Sequence, residues 1–392
     1  MEIPKPPPFP PWQAPTDVEH RLYEAKMRGD WASYFDVLAD AHLYHAMPRG
    51  FAEANPGYVT RTPYWQRQAG RLCYTFLTDG MLPPPVSDPV FFRTDLAATA
   101  DKWADPAAWL AINPGSPCEA YFPARPQDRF MWQQHAQRVS HDCSGALRTL
   151  WVGGPLHGLV AHGLACGALL CVSNGSLWNA MGWHGTGFPR ERERLQEWWG
   201  IASRADWLEA IEGLLQTNVS QSAWEFVLQV RRAIAREYGG MVEPSHWREV
   251  IERVVRHREG EKDAGAEVGR LHKLVGRIAR YEARFRADGL LGESKQVRSV
   301  AAWHLGRASK MARWGLGARY CDPAEAQNAV VRAGRAAQVS YSSWEDFSAG
   351  YILGRCLHFD EEEFGGWYQD MLEAHRILVT DPSSPWLNLP FK

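Results

Sequence analysis

The chain has 392 residues, 45% hydrophobic and 22% charged, with a formal net charge of -2, a balance that excludes wholesale disorder and fibrous repeats. Its 43 basic residues face 45 acidic ones, so no positive excess exists to drive sequence-independent nucleic-acid binding, and no nucleic-acid partner is expected. At roughly 100 to 200 residues per domain the length predicts two or three domains, and 19 tryptophans point to large amphipathic rings used as packing units.

Residues 1–15, opening MEIPKPPPFPPW, predict a flexible proline-rich arm with no secretory leader. A first helix is expected from Thr16, which with Glu19 spells a T-x-x-E capping box. A second follows Gly29-Asp30. After a loop to about residue 65 the period changes to two: Leu72, Tyr74 and Phe76 alternate with Arg71, Cys73 and Thr75, a half-buried strand ending at Asp79-Gly80. Strands over 90–93, 109–112 and 119–122, a helix over 95–102 and a tight turn at Asn113-Pro114-Gly115 complete a small α+β domain over residues 16–140.

Residues 149–189 contain no Asp, Glu, Lys or Arg. The apolar part, 150–172, is long enough to span a bilayer but carries His157, His162 and five glycines, so the expectation is a buried helix in an uncharged junction over 141–190, with no membrane span. His162 and Cys166 share a helix face, yet no closing ligand pair stands at standard spacing, and neither a metal nor any other cofactor is expected. Seven scattered cysteines without a C-x-x-C pair predict reduced, cytoplasmic usage.

Residues 191–392 predict a mainly helical domain. Helix starts are marked by Ser203 with Asp206, by Ser245, and by Asp322-Pro323-Ala324-Glu325, which combines a cap, an N1 proline and an N3 carboxylate. Projected at 100° per residue, Trp303, Arg307 and Trp314 fall within about 40° of one another beside Val300 and Met311, an arginine set in an apolar stripe, and Arg355 sits among Trp344, Ser348, Tyr351 and Phe359. A guanidinium in such a stripe needs a carboxylate, backbone carbonyls, an aromatic face or an anionic ligand. Internal pairing with Asp322, Glu325 or Asp346 is the expected solution, an anion pocket the alternative. Trp303, His304, Arg307, Trp314, Trp344, Tyr351 and Arg355 are the candidate binding residues, and no catalytic residue is assigned.

Two resemblances attach to these segments. FFRTDLAATADKW and WLAINPGSPCEAYFP are similar to the N-terminal domain of the SseB (enhanced serine sensitivity) family, which implies a fold and an accessory role. AAWHLGRASKMARWG, CDPAEA, SSWEDFSAGYILGR and SPWLNLP resemble the bacterial YbeU/YbeR family, known as domain of unknown function 1266, over roughly residues 175–390. That resemblance implies an all-helical fold and no inherited activity. Where the resemblance leads to Trp-Asp, this chain has Trp303-His304, so an acid that could pair Arg307 is absent at that place.

The expected architecture is thus an α+β N-terminal domain followed by a mainly α-helical C-terminal domain. With no Gly-rich phosphate loop, G-x-S-x-G elbow or H-E-x-x-H, the expected function is a non-catalytic bacterial interaction or regulatory accessory module whose partner is another protein. The alternative is a small-molecule or anion-binding protein, or enzyme, with a pocket around Arg307 and Arg355 and with His304, Asp322, Glu325 and Tyr351 as acid-base groups. A toxin-like or membrane-active effector working through the uncharged segment stands third.

Overall fold

The computed structural model describes residues 12–54, 60–84, 88–138, 147–152, 154–182, 188–217, 222–259, 264–360 and 364–392. All but the last residues of the proline-rich arm lie outside that set. The chain divides into two compact units, one of Met1–Ala52, Val59–Asp142 and Thr149–Gly154, the other of Glu53–Tyr58, Cys143–Arg148 and Pro155–Lys392.

The first unit opens with α1 (Asp17–Arg28) and α2 (Trp31–Asp40). Thr16 caps α1 by accepting from the Val18 N–H, but the expected capping box does not form. Glu19 is instead fully buried and turned inward, accepting from the hydroxyls of Thr16 and Thr78 and, at 3.0 Å, from the Gly80 N–H. A buried carboxylate needs several donors, and these tie the helix start to the turn after the predicted strand. A Cβ at residue 80 would fall 2.2 Å from that carboxylate, so only glycine fits.

Next come β1 (Leu43–Met47), α3 (Arg49–Ala54), β2 (Tyr64–Gln66), β3 (Arg71–Phe76), β4 (Val90–Thr94), α4 (Leu96–Asp101), β5 (Trp109–Ile112), β6 (Ala120–Phe122) and α5 (Pro126–Gln137). β1 and β4 pair antiparallel, with Leu43 opposite Thr94 and Met47 opposite Val90. The other sheet has the order β2-β3-β5-β6, parallel only between β3 and β5. Sequence reading found β3, β4, β5, β6 and α4 but not β1, α3, β2 or α5. The alternation expected in β3 holds only at its end, over Tyr74, Thr75 and Phe76. Leu72 is exposed, whereas Cys73 and Tyr74 are both buried although successive side chains point to opposite faces. The strand passes from an exposed end into a sheet covered on both sides. β5 ends in the expected turn, where Asn113 takes a positive φ of 47° and its side chain meets the Thr78 N–H and hydroxyl at 2.9 Å.

The second unit is helical: α6 (Gly158–Ala165), α7 (Ala168–Ser173), α8 (Phe188–Trp199), α9 (Arg204–Leu215), α10 (Ser222–Tyr238), α11 (Pro244–Glu259), α12 (Ala264–Ala287), α13 (Ala301–Gly317), α14 (Pro323–Ser340), α15 (Trp344–Phe359), α16 (Gly366–Thr380) and α17 (Pro385–Asn388). The uncharged segment forms two short helices, α6 and α7, broken at Gly167, rather than the single helix expected. Leu164, Ala165, Cys166, Ala168, Leu169 and Cys171 are all fully buried. Among the described residues no helix is long and apolar enough to cross a membrane. Ser203 with Asp206 and Asp322 with Glu325 form reciprocal capping boxes, while α11 begins at Pro244, one residue ahead of the expected Ser245.

Tryptophans stitch these helices together by pairing an apolar ring with a directed N–H. Trp207 donates to the Met311 carbonyl at 3.1 Å, Trp247 to Val227 at 2.8 Å and Trp386 to Ala165 at 3.2 Å. α13 lies at the centre, packed by α14, α15, α9 and α7.

Candidate functional site

Every residue of α13 from Ala302 to Gly315 is buried except Arg307. A helix enclosed on all sides is expected to be apolar all round, yet this one carries His304, Arg307, Lys310 and Arg313, a basic residue at every third position. Because 3.6 residues make a turn, that spacing winds the four groups slowly round the helix, so each meets different neighbours.

At the inner end, Lys310 and Arg313 are fully buried. Lys310 Nζ lies 2.5 Å from Ser176 Oγ and 3.5 Å from Cys171 Sγ. Arg313 donates to Cys171 Sγ at 3.1 Å and to the Leu177 carbonyl at 2.6 Å. Burial alone would raise the Cys171 thiol, but Lys310 and Arg313 outweigh it and hold the thiol below its ordinary pKa. Burial pushes Lys310 down to about 7 against the pull of Cys171. Glu191 on α8, buried and 3.4 Å from Arg194, is pushed up to about 8 by desolvation.

At the outer end, the Arg307 guanidinium lies 3.6 Å from the Trp303 ring centroid and 5.3 Å from that of Trp199. It donates to the Trp303 carbonyl and to His304 Nδ1, both at 3.3 Å. Burial, with the Arg307 charge beside it, brings His304 down to about 3, so the ring stays neutral and accepts. Burial lowers Arg307 itself to about 10; Tyr351 opposes this, and the neighbouring Arg355 adds to it. Arg355 reaches across to Trp367 at 4.9 Å and Phe359 at 5.6 Å, two rings that stack on each other at 4.9 Å. Its Nε, the Tyr351 hydroxyl and Trp303 Nε1 are buried without a hydrogen-bond partner among the described groups. Gly306 makes room for this layer: a Cβ there would lie 2.6 Å from the Tyr351 ring and 2.7 Å from the Cys166 carbonyl.

The expected acid partners are all occupied elsewhere. Glu325 binds Arg204 at 2.9 and 2.5 Å, and Asp322 caps α14. Asp346 accepts from Ser342 at the start of α15 and comes no closer than 3.9 Å to Arg298. Carboxylates beside helix starts serve the free N–H groups there, which leaves aromatic faces and carbonyls to Arg307 and Arg355.

Of the seven candidate residues, the fold brings together Trp303, His304, Arg307, Tyr351 and Arg355. Trp314 joins through Trp199, whose ring lies 6.0 Å away and also faces Arg307. Trp344 belongs to another group: it donates to the Leu389 carbonyl at 2.9 Å and stacks on Trp386 at 5.7 Å. Ser176, Lys310, Arg313, Trp199 and Trp367 were missed, and Cys171 was weighed only as a metal ligand and set aside as a packing group; the threefold spacing of basic residues on α13 was the available signal. A cleft of about 680 Å³ lined by Arg248, Lys273, Arg277 and Arg280 also holds Trp224, whose ring is 6.2 Å from Trp303. His162 is engaged by the Phe391 carbonyl at 2.9 Å, and among the described residues no group of three or more His, Cys, Asp or Glu is gathered to hold a metal.

Among known proteins, no curated protein and no solved structure matches this chain. One family's sequence profile, described as "Protein of unknown function (DUF1266)", matches residues 194–391. That stretch covers half of the chain and contains α13 and α15 whole, so the chain belongs to the DUF1266 family.

Proposed function

We propose that the helical unit is a non-catalytic binding module that recognises an anionic group, a carboxylate or a phosphate, between Arg307 and Arg355. One observation carries this reading: two guanidiniums close enough for one to lower the other's pKa both rest on aromatic rings, while the acids expected to pair them serve caps and Arg204. Like charges in a poorly hydrated layer, with no carboxylate beside them among the described residues, are strained without a ligand and relieved by an anion. The half-exposed Phe359 and Trp367 give the site an aromatic rim of the kind that anchors partners.

Acid-base catalysis is the weaker reading, because His304 is held neutral and Asp322 and Glu325 are fixed in a cap. A regulatory accessory role in a bacterial cytoplasm, the YbeU/YbeR likeness and the SseB-like character of the first unit belong to the same proposal. The turn at Asn113-Pro114-Gly115 closing β5 supports the last of these.

Thermal unfolding in a phosphate-free buffer, with inorganic phosphate or succinate titrated in, tests the site. Wild type should gain in melting temperature with one of the two anions, and Arg307→Ala and Arg355→Ala should lose that gain. A wild type indifferent to both anions would remove the reading.

A further inference from the structure

Cys171, Lys310 and Arg313 take no part in binding at Arg307 and Arg355, and their arrangement has a chemistry of its own. We propose that Cys171 and Lys310 form a reversible covalent modification site, a sulfur–nitrogen (sulfenamide) cross-link between α7 and α13 made with hydrogen peroxide.

The reacting atoms are already adjacent: Lys310 Nζ is 3.5 Å from Cys171 Sγ, held there by Ser176 Oγ at 2.5 Å. Arg313 sits 3.1 Å from the same sulfur and is itself anchored on the Leu177 carbonyl. Peroxide selects thiols by thiolate character. Among the described cysteines, Cys171 has its thiol held down by neighbouring cations, whereas Cys73, Cys118, Cys166, Cys321 and Cys356 are all pushed up by burial.

The steps balance. The Cys171 thiolate attacks peroxide, an S–O bond forms as the O–O bond breaks, and the departing hydroxide takes a proton from the Lys310 ammonium and leaves as water. Sulfur has lost two electrons to peroxide and the amine is now neutral. Its lone pair attacks the sulfenic sulfur, an S–N bond forms as the S–O bond breaks, and the hydroxyl leaves with an amine proton as a second water. Burial at 0% exposure of both residues slows entry of peroxide, a small neutral molecule, and excludes the bulky thiols that would otherwise intercept the sulfenic acid.

The test is peptide mapping of the full wild-type chain after exposure to hydrogen peroxide and alkylation of free thiols. The expected result is a linked pair of peptides containing Cys171 and Lys310, lighter by two hydrogens than their sum and separated by dithiothreitol. In Lys310→Met the link is lost and a sulfenic-acid trap such as dimedone, present as the chain is unfolded, labels Cys171. Recovery of wild-type Cys171 as free thiol, as sulfinic acid or in a disulfide overturns the proposal, and that result does not depend on whether the variant folds.

Discussion

Arg231 and Arg307 lie in the same helical unit and are satisfied in opposite ways. Arg231 on α10 meets Glu282 on α12 through two hydrogen bonds, 3.0 and 2.7 Å, with side chains 4% and 2% exposed. It adds the Val297 carbonyl at 2.6 Å and the Trp247 face at 4.4 Å, while Glu282 takes the Val297 N–H at 2.7 Å. Charge, donors and acceptors all close on themselves, and the group joins two helices to the chain ahead of α13. Among the described residues, Arg307 and Arg355 have the aromatic faces but not the carboxylate. The difference teaches that this protein completes a guanidinium internally where it needs a joint, which makes the incomplete pair informative.

The largest expected effect is at the closed site. Arg231→Ala or Glu282→Ala leaves a buried charge unpaired and should cost about 3 to 5 kcal/mol, read from the midpoint of urea unfolding. A cost of about 1 kcal/mol or less at Arg231 together with one of about 3 to 5 kcal/mol at Arg307 would invert the comparison.

The inner end of the α13 stripe comes next. Lys310 has a folded pKa of about 7, below its ordinary 10.5, so between those values the unfolded chain binds more protons and stability must rise with pH. The full cost of burying the ammonium is present below about pH 7. Lys310→Met lacks this charge, so wild type should gain on the variant by on the order of a few kcal/mol from pH 7 to 10. Parallel profiles for the two proteins would contradict a buried, charge-strained lysine.

Gly306→Ala comes third, at about 1 to 3 kcal/mol, since a methyl group there must displace either the Tyr351 ring or backbone. It should also weaken any anion response by shifting α15. The smallest effect is expected at the open pair itself: Arg307→Ala should cost about 1 kcal/mol or less in phosphate-free buffer, because the lost ring contacts offset relief of like-charge repulsion.

The sequence made local features readable. Ser203 with Asp206, and Asp322 with Glu325, signal helix starts through residues three apart, and the stripe holding Arg307 and Arg355 follows from helix periodicity alone. Partner choice was misread: Asp322 and Glu325 were recognisable as caps, yet were also assigned to Arg307 and Arg355, whereas the arginine that Glu325 serves beside its cap is Arg204. The inner cluster was hidden by distance, with Lys310 and Cys171 139 residues apart and joined by no motif. In the first unit Glu19 looked like a cap but is claimed by Thr78, 59 residues away, and the mostly polar run PQDRFMWQQHAQ conceals α5.

The hydrogen bond from His162 to the Phe391 carbonyl spans 229 positions, and Gln338 donates to the same oxygen. Trp386, also from this late stretch, anchors the Ala165 carbonyl. During synthesis at about 5 to 20 residues per second, α6 therefore waits roughly 10 to 45 s after emerging before the residues that lock it exist. α13 and α14 pack on α6 before then, but the contacts from residues 386–391 come last, so the locking of α6 trails its own synthesis by that interval.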